Sequence, residues 1–398
     1  MLLQLLDQLT EPLLQKLCDD RCPESQTLEF KREIPGNSDK EKHELCKDIA
    51  ALANTDGGDL VYGIEEHAGA AGAIQPIASE PADAAMRRIA QVLDAGIEPR
   101  IKGITMRHID VSGGYAIVLR VPSSFDGPHC IRTNSSRRFV MRNGTNTSDM
   151  SFDQLRGAFD RTATLAERAR EFIRDRLQQI AERNTTAPLM EGPQWIVHLV
   201  PVAGLAGRRT VDLRSIYSKT YIEYLGSDWG GGSRTFNFDG VLIHPGGKQD
   251  DGFYAYHHIF RTGALEGAQL GGATRELSPG VEKSFVWSLA MSKFFYFSVK
   301  RYLSSAKTWG FAGPAVLSVA ILNVKGFELG IGNGFHRFSL ATADRPHLIP
   351  PELWIEDIDS INIDEAVRPL LDNLWQAFGV ERCLDFDEKT GVFAPRPA

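Results

Sequence analysis

The feature that most constrains the fold is a strand, helix and strand pattern between Thr27 and Ile64. Thr27 to Lys31 alternates polar and apolar residues, the period of a half-buried strand, which places Glu29 away from the core. A capping-box pattern at Ser38 to Glu41 predicts the start of an amphipathic helix. The apolar stripe of this helix is Leu45, Cys46, Ile49, Leu52 and Ala53. Turn-forming residues then end the helix, and Leu60 to Ile64 is typical of a buried strand.

Acidic residues lie at the start of this pattern and directly after its end. They are Glu24, Glu29, Glu65 and Glu66. The first two lie five residues apart, so a continuous strand would place them on opposite faces. They converge only if the chain bends, and the bend is favoured by Pro23, Ser25 and Gln26. If the acids meet, with Lys31 beside them, they can hold Mg²⁺ or Mn²⁺ against a phosphate. The alternative is a set of solvated glutamates at strand ends.

A second candidate element is a basic strand between Ile131 and Arg142. It contains four arginines and no acid: Arg132, Arg137, Arg138 and Arg142. Phe139 and Met141 alternate with arginine, as in a strand with one basic face. Arginine binds phosphate bidentately, so this strand is a candidate nucleic-acid contact. The alternative is a solvated edge strand that charge protects from aggregation.

Composition sets the class of protein. With 398 residues, 42% hydrophobic and 24% charged, the chain is long enough for two domains with real cores. A net charge of -7 excludes a protein that coats nucleic acid with its whole surface, so binding must use a local patch. Five scattered cysteines without a C-x-x-C pair are typical of reduced buried thiols. Neither a signal peptide nor a membrane span is visible, so we expect a cytoplasmic protein.

Four motifs in order resemble the Schlafen AlbA_2 domain, also described as divergent AAA-4 or Schlafen-like. The first is E-S-x-x-x-E-F-K-R from Glu24, and the second is A-N-T-x-G-G-x-L-x-x-G-I-E-E from Ala53. The others are Ile97-Glu98-Pro99, before a hairpin, and the run 142–147. The resemblance covers about residues 20 to 160 and implies a domain of mixed sheet and helices.

The resemblance also implies a chemistry. Schlafen proteins with ribonuclease activity use two glutamates five apart and a later aspartate as a metal-dependent site that cuts tRNA or rRNA. Glu24 and Glu29 match the first pair. This chain has Glu65-Glu66 in place of the aspartate, and it carries Asp59 where an apolar residue is common, which leaves three candidates for the third acid. We favour Glu65, because it continues the alternation from Val61 and Gly63.

The sequence predicts an α/β (α+β) protein with a first domain at 1–160, a connecting helix and linker at 161–190, and a mixed α/β domain at 191–398 that serves sensing or oligomerisation. Val211 to Leu225 and Val281 to Ser305 are predicted helices, the second rich in aromatic residues that indicate a core or a dimer interface. Glycine-rich stretches at 228–232 and 240–248 match neither the P-loop nor the dinucleotide fingerprint.

Three hypotheses about function follow. The first is a metal-dependent endoribonuclease of Schlafen type that acts on structured RNA such as tRNA, in bacterial stress or anti-phage defence. The second is a non-catalytic nucleic-acid-binding regulator. The third is a purely structural scaffold, which predicts no affinity for nucleic acid. A leucine-striped helix at 1–19 and the aromatic helix at 281–305 together predict a homo-oligomer, because symmetric association would cover their apolar surface.

Overall fold

The computed structural model describes residues 2, 6–124, 127–132, 137–207, 210–218, 232–245, 251–331, 339 and 341–395. The side chains at 161–163, 277, 278 and 281 lie outside that description. The chain divides into two compact units, Met1–Thr164 and Leu165–Ala398. Both units mix helices with sheets, so the predicted α+β class is confirmed. No helix among the described residues is long and apolar enough to cross a membrane.

The first unit contains a short 3-10 helix, three α-helices and the beginning of a fourth. They are Leu6–Gln8, α1 (Glu11–Asp19), α2 (Asp39–Ala53), α3 (Ala82–Gly96) and α4 (Phe152–Ala181), which continues into the second unit. Its strands are β1 (Leu28–Lys31), β2 (Gly58–Tyr62), β3 (Ile64–His67), β4 (Ala70–Ile74), β5 (Ile97–Glu98), β6 (Thr105–Val111), β7 (Gly114–Val121), β8 (Cys130–Arg132), β9 (Arg137–Asn143) and β10 (Asn146–Asp149).

Two four-stranded sheets organise this unit. The central sheet has the order β1-β2-β7-β6, with β1 parallel to β2 and the other pairs antiparallel. One of its faces packs in a core with α2 and α3, and the other packs with α1 and the leucines that precede it. The second sheet has the order β10-β9-β8-β5, and β3 and β4 form a separate hairpin. The predicted strand, helix and strand pattern is therefore β1, α2 and β2.

The leucine-rich start differs from the single helix expected at 1–19. Pro12 lies in the first turn of α1, where a helix tolerates proline, so α1 begins only at Glu11. Leu2, Leu9 and Leu14 are buried in the core of the unit. Among the described residues of this stretch, these three leucines therefore face the core of their own unit.

The second unit is built on a seven-stranded antiparallel sheet with the order β12-β13-β14-β15-β11-β18-β20. These strands are β11 (Gln194–Pro201), β12 (Ser233–Phe236), β13 (Gly240–His244), β14 (Ala255–Phe260), β15 (Leu265–Leu270), β18 (Ala315–Leu322) and β20 (Leu353–Ile355). A smaller sheet contains β16 (Gly272–Ser278), β17 (Val281–Trp287) and β19 (Glu328–Gly330). The other helices are α5 (Val202–Leu205), α6 (Leu213–Ser218), α7 (Ser288–Thr308) and α8 (Ile363–Gln376).

The single helix predicted at 281–305 is wrong. Residues Val281–Trp287 form β17, which pairs with β16 in a hairpin, and α7 begins at Ser288. The Pro279-Gly280 pair between the two strands is an ordinary turn signal, and Gly280 has φ +79. Phe295 and Tyr302 on α7 are fully buried within the unit, so α7 does not present an aromatic interface.

Other predictions in this unit are partly met. The helix expected at Val211 to Leu225 is seen as α6, and residues 219–231, with the glycine-rich stretch up to 231, lie outside the described residues. The stretch at 240–248 is strand β13 as far as His244.

A row of polar side chains crosses the centre of the large sheet. His258, Glu266, His198 and Ser318 are register neighbours on successive strands and are at most 1% exposed. Arg176 on α4 donates two hydrogen bonds to the Glu266 carboxylate, of 2.8 and 2.9 Å. Burial alone would raise the pKa of Glu266, but hydrogen bonds from Arg176 and His198 outweigh it and hold this pKa below its ordinary value.

Candidate nucleic-acid site of the first unit

The site begins at a tight bend between Glu24 and Glu29. Ser25 and Leu28 exchange two backbone hydrogen bonds, of 3.0 and 3.3 Å, so the chain reverses before β1 starts. The Glu24 carboxylate then accepts the backbone N–H of Phe30 at 2.9 Å. The bend that the odd spacing requires is therefore present, and the two glutamates lie on one side of the domain.

Charge accumulates where these carboxylates meet. The pKa of Glu24 is raised, first by burial and then by the negative charges of Glu29 and Glu66, while the Phe30 N–H and Arg142 pull it down. A carboxyl whose pKa is raised by burial and by neighbouring negative charges is a recurring property of functional sites. Glu24, Glu29 and Glu66 are thus the acids that the fold brings together.

Glu66, and not Glu65, is the later acid that belongs to this group. β2 ends at Tyr62, Gly63 has φ +93, and the pairing of β3 with β4 shifts register between Glu65 and Glu66. The alternation that favoured Glu65 is therefore interrupted twice, and the choice of Glu65 loses that argument. The Glu65 carboxylate instead lies 3.4 Å from the Arg32 guanidinium.

Asp59 is excluded from the site by its position in β2. Its register partner is Leu28, and their face of the sheet packs on the leucines that include Leu2 and Leu14. The buried Asp59 carboxylate receives the Arg120 guanidinium at 2.8 Å and the backbone N–H of Leu2 at 2.6 Å. It holds the start of the chain against the sheet.

Glu29 is held by two cations, one on each carboxylate oxygen. The Lys31 ammonium lies 2.7 Å from Oε1, and the Arg142 guanidinium contacts Oε2. The side chain of Glu29 is only 12% exposed, although the sequence predicts that it faces away from the core. The Glu29 carboxylate lies between the apolar core and the second sheet. The second sheet contributes the positive charge of Arg142.

Arg142 is an internal connector. Its side chain is 0% exposed, and besides Glu29 it donates to the carbonyl oxygens of Ser25 and Thr145 at 3.1 and 3.3 Å. Its backbone N–H donates to Thr55 Oγ1 at 2.9 Å. A buried guanidinium with these partners does not reach a phosphate, so the expected role of Arg142 in nucleic-acid binding is corrected to a structural one.

Asp48 is a charged residue of the site that the sequence reasoning missed. Its carboxylate lies 3.4 Å from the Lys31 ammonium, so Lys31 bridges Glu29 and Asp48. Burial, and then Glu29, raises the pKa of Asp48 to about 6, against the pull of Lys31. One signal could have found it: Asp48 lies three residues after Leu45 and four before Leu52, on the apolar stripe of α2.

The exposed arginines divide between two faces of β9. Arg138 shares its face with Val140 and Arg142, and this face packs on α2 and points to the Glu29 group. Arg137 shares the opposite face with Phe139, and its neighbour across the strands is Arg132. Arg132 and Arg137 both contact Glu98, at 3.8 and 3.0 Å, and Arg138 contacts Asp149 at 2.8 Å. The four arginines therefore do not form one basic face.

The A-N-T-x-G-G motif builds the scaffold behind the acids. The Asn54 amide donates to the carbonyl oxygens of His129 and Val140, at 2.9 and 2.8 Å, and its oxygen accepts the His129 N–H at 2.7 Å. Gly58 has φ +156, and a Cβ there would lie 2.5 Å from the Thr27 carbonyl oxygen. The motif thus fixes the second sheet and β1 to the end of α2.

The oxygen donors of this site are few for a divalent cation. No group of three or more His, Cys, Asp or Glu side chains that could hold a metal ion occurs in the part of the chain that the structure describes. Magnesium, however, commonly uses one or two carboxylates and completes its shell with water and substrate phosphate. The partly exposed Glu24 and the exposed Glu66, electrostatically coupled and made of hard oxygen donors, fit that smaller requirement.

The match to a known family agrees with the motifs. Residues 24–151 match the family model described as Schlafen, AlbA_2. No curated protein matches this chain. Among solved structures, the DIP2311 protein from Corynebacterium diphtheriae is similar at 20% identity over 31% of this chain, with a TM-score of 0.23. This chain spans 22% of that protein. The resemblance read from the four motifs is confirmed by the family match: residues 24–151 are a Schlafen AlbA_2 domain, which indicates a nucleic-acid-related function.

Proposed function

We propose that the first unit is a metal-dependent endoribonuclease of Schlafen type that acts on structured RNA such as tRNA. The observation that carries the proposal is the convergence of Glu24, Glu29 and Glu66, with a raised pKa at Glu24. Like charges brought together under partial burial cost free energy unless a cation joins them. The domain family supplies the substrate class, and bacterial stress or phage defence is the setting that we propose with it.

Glu24 and Glu66 are the residues proposed to hold Mg²⁺ or Mn²⁺. Glu24 uses Oε1 for the Phe30 N–H, which leaves Oε2 for an ion, and Glu66 is exposed beside it. When bound, the cation would neutralise a phosphate oxygen and favour attack by water at the phosphodiester. Glu29 fixes the geometry around them, because Lys31 and Arg142 already occupy its oxygens.

Lys31 is proposed to contact the scissile phosphate as a permanent cation. Burial by itself lowers the pKa of Lys31, but Asp48 and Glu29 outweigh it and raise this pKa above its ordinary value. The ammonium therefore keeps its proton at neutral pH and cannot act as a general base. Its side chain is 41% exposed, enough to donate to an incoming phosphate.

Arg138 is the proposed contact for the rest of the RNA. It lies on the face of β9 that is directed to Glu29, and its side chain is 42% exposed. Its partner Asp149 is 58% exposed, and such surface pairs contribute little free energy, so phosphate can replace the carboxylate. Arg132 and Arg137 lie on the other face and are not part of this proposal.

A non-catalytic nucleic-acid-binding regulator is the second candidate. It is favoured by the ion pairs of Glu29. A carboxylate that already contacts two cations has a structural role and does not need a metal ion to balance its charge. In that case RNA would bind through Lys31 and Arg138 without cleavage. The same protein preparation distinguishes the two functions.

The test is cleavage of total tRNA by the full chain with Mn²⁺, with Mg²⁺ or with EDTA, alongside calorimetric titration of Mn²⁺. We expect metal-dependent cleavage that Glu24→Gln abolishes, together with loss of Mn²⁺ binding. The amide oxygen of the variant still accepts the Phe30 N–H, so folding is preserved. Glu65→Gln is the matched control and keeps activity. RNA binding without cleavage in any metal would leave only the regulator, and absence of both would contradict both functions.

A further inference from the structure

An apolar surface lies on the far side of the second sheet from the acids. At the start of α4, the side chains of Phe152 and Phe159 are 77% and 53% exposed. Phe159 packs edge-on against Phe139 of β9, with ring centroids 6.3 Å apart. Partly exposed apolar residues join them: Met141, Met150 and Leu155. We call these six residues the α4 patch. An apolar patch of this kind on a folded unit marks an interaction surface.

The patch follows from the alternation of β9. Val140 and Arg142 point to α2 and are buried, so Phe139 and Met141 point the other way. On that side Phe159 of α4 packs against Phe139, and both phenylalanines of the helix remain open to solvent. The sheet is therefore covered on one face and only partly covered on the other.

The composition of the patch is that of a protein interface. Its members are phenylalanine, methionine and leucine, its rim carries arginines, and the chain has no lysine between Lys102 and Lys219. Aromatic residues, methionine and arginine are enriched where proteins meet, whereas lysine is depleted. The Arg156 guanidinium already lies 6.0 Å from the Phe152 ring centroid.

The rim is balanced in charge, which decides what kind of partner fits. Among the described side chains, its cations are Arg132, Arg137 and Arg156, and its acids are Glu98, Asp153 and Asp160, three on the Phe139 face of the second sheet and three on α4. The first two arginines contact Glu98, and Arg156 contacts Asp153 at 3.2 Å. A surface for nucleic acid needs an excess of positive charge. A rim without net charge lets an identical rim approach about a two-fold axis without like-charge repulsion.

The spacing along α4 has the same symmetry. Phe152 and Phe159 are seven residues apart, so they lie on one stripe of the helix with Leu155 between them. If two copies of α4 cross antiparallel about a two-fold axis midway between Leu155 and Arg156, each Phe152 meets the partner's Phe159. One axis therefore covers all four rings at once.

We propose that the α4 patch is the surface through which two copies of this chain associate as a symmetric dimer. This surface replaces the two helices from which the sequence predicts an oligomer, because Leu14 and Tyr302 in those regions are buried in their own units. The proposal does not depend on the RNA site, which lies on the other face of β9.

Light scattering and sedimentation of the full chain at micromolar concentration test it. We expect a mass twice the 44.0 kDa of the chain. Phe152→Ser combined with Phe159→Ser should weaken dimerisation by at least about 30-fold, since aromatic residues at an interface centre are hot spots. Phe238→Ser is the matched control, because this phenylalanine of the second unit is 92% exposed and lies outside the patch.

Three results would overturn the proposal. The first is a mass of 44.0 kDa for the natural protein at all concentrations. The second is a dimer that survives the double substitution. The third is a double variant that has the same mass as the natural protein but has lost RNA affinity. The last result would assign the patch to nucleic acid. A thermal melt confirms that the double variant is folded, and the single variant Phe152→Ser, at the more exposed ring, repeats the test with less disturbance.

Discussion

The Arg142 guanidinium and the Glu29 carboxylate form an ion pair inside the first unit, although 113 residues separate them in the chain. The contact joins β9 of the second sheet to β1 of the first. Because Arg142 also donates to Ser25 and Thr145, one buried side chain holds the bend at Glu24, the end of β9 and the following turn in place.

We expect Arg142→Met to lower the free energy of unfolding by about 3 to 5 kcal/mol, because it leaves Glu29 with one cation and two carbonyl oxygens without a donor. Urea unfolding of the full chain measures it. Arg138→Met is the control, and its exposed pair with Asp149 should be worth less than about 1 kcal/mol. Equal losses in the two variants would contradict the internal role of Arg142.

The assignment of the third acid is tested by comparing Glu66→Gln with Glu65→Gln. Removing the charge at Glu66 should lower the pKa of Glu24, which NMR titration of the carboxyl can follow, and should reduce Mn²⁺ affinity by at least about tenfold. Glu65→Gln should change neither quantity, since Glu65 contacts Arg32. If instead only Glu65→Gln changed the two quantities, Glu65 would be the third acid.

RNA binding should depend on Arg138 and not on Arg137. We expect Arg138→Ala to weaken binding and to reduce the slope of log affinity against log salt by about one, because one phosphate contact is lost. Arg137→Ala, one residue away on the opposite face of β9, should leave the slope unchanged. Filter binding of tRNA over a range of salt concentrations measures both slopes, and equal slopes for the two variants would disprove the division of faces.

The raised pKa of Asp48 should make the free energy of unfolding depend on pH. Its pKa is about 6 in the folded protein and about 4 in the unfolded chain, so the folded state binds its proton more tightly. Its contribution to the free energy of unfolding is therefore complete below about pH 4 and is lost as the pH rises through 6, by about 3 kcal/mol. Asp48→Asn should remove this dependence. Parallel pH profiles for the variant and the natural protein would contradict the raised pKa.

In the second unit, the ion pair between Arg176 and Glu266 should contribute more to the free energy of unfolding than exposed ion pairs of the same helix do. Arg176→Met leaves a fully buried carboxylate with only His198 and Tyr256 as partners, so we expect a loss of about 3 to 5 kcal/mol. Arg174→Met, two residues earlier on α4, breaks an exposed pair with Glu167 and should cost less than about 1 kcal/mol. Thermal unfolding of both variants decides the matter.

The amino-acid sequence alone determined the local elements of the candidate site. The capping box at Ser38 is present with both of its reciprocal contacts, and the turn after α2 uses glycines with positive φ, as turn chemistry demands. These signals depend on residues a few positions apart, so periodicity and turn preference are sufficient to find them. The same is true of the order of the four motifs, which predicts the family of residues 24–151.

The partners of the charged residues were decided by the tertiary structure. Glu29 and Arg142 each look like solvated charges in their own strands, and only the packing of one sheet against the other makes them a buried pair. The choice of Glu66 depends on a bend at Gly63 and a shifted register, which strand alternation cannot anticipate. Asp48 interrupts the apolar stripe of α2, and the residue that pairs with it there is Lys31 on β1. The free energy of a buried charge is set by groups distant in the chain, so the sequence identified the glutamates of the site, and the fold alone assigned their partners and added Asp48.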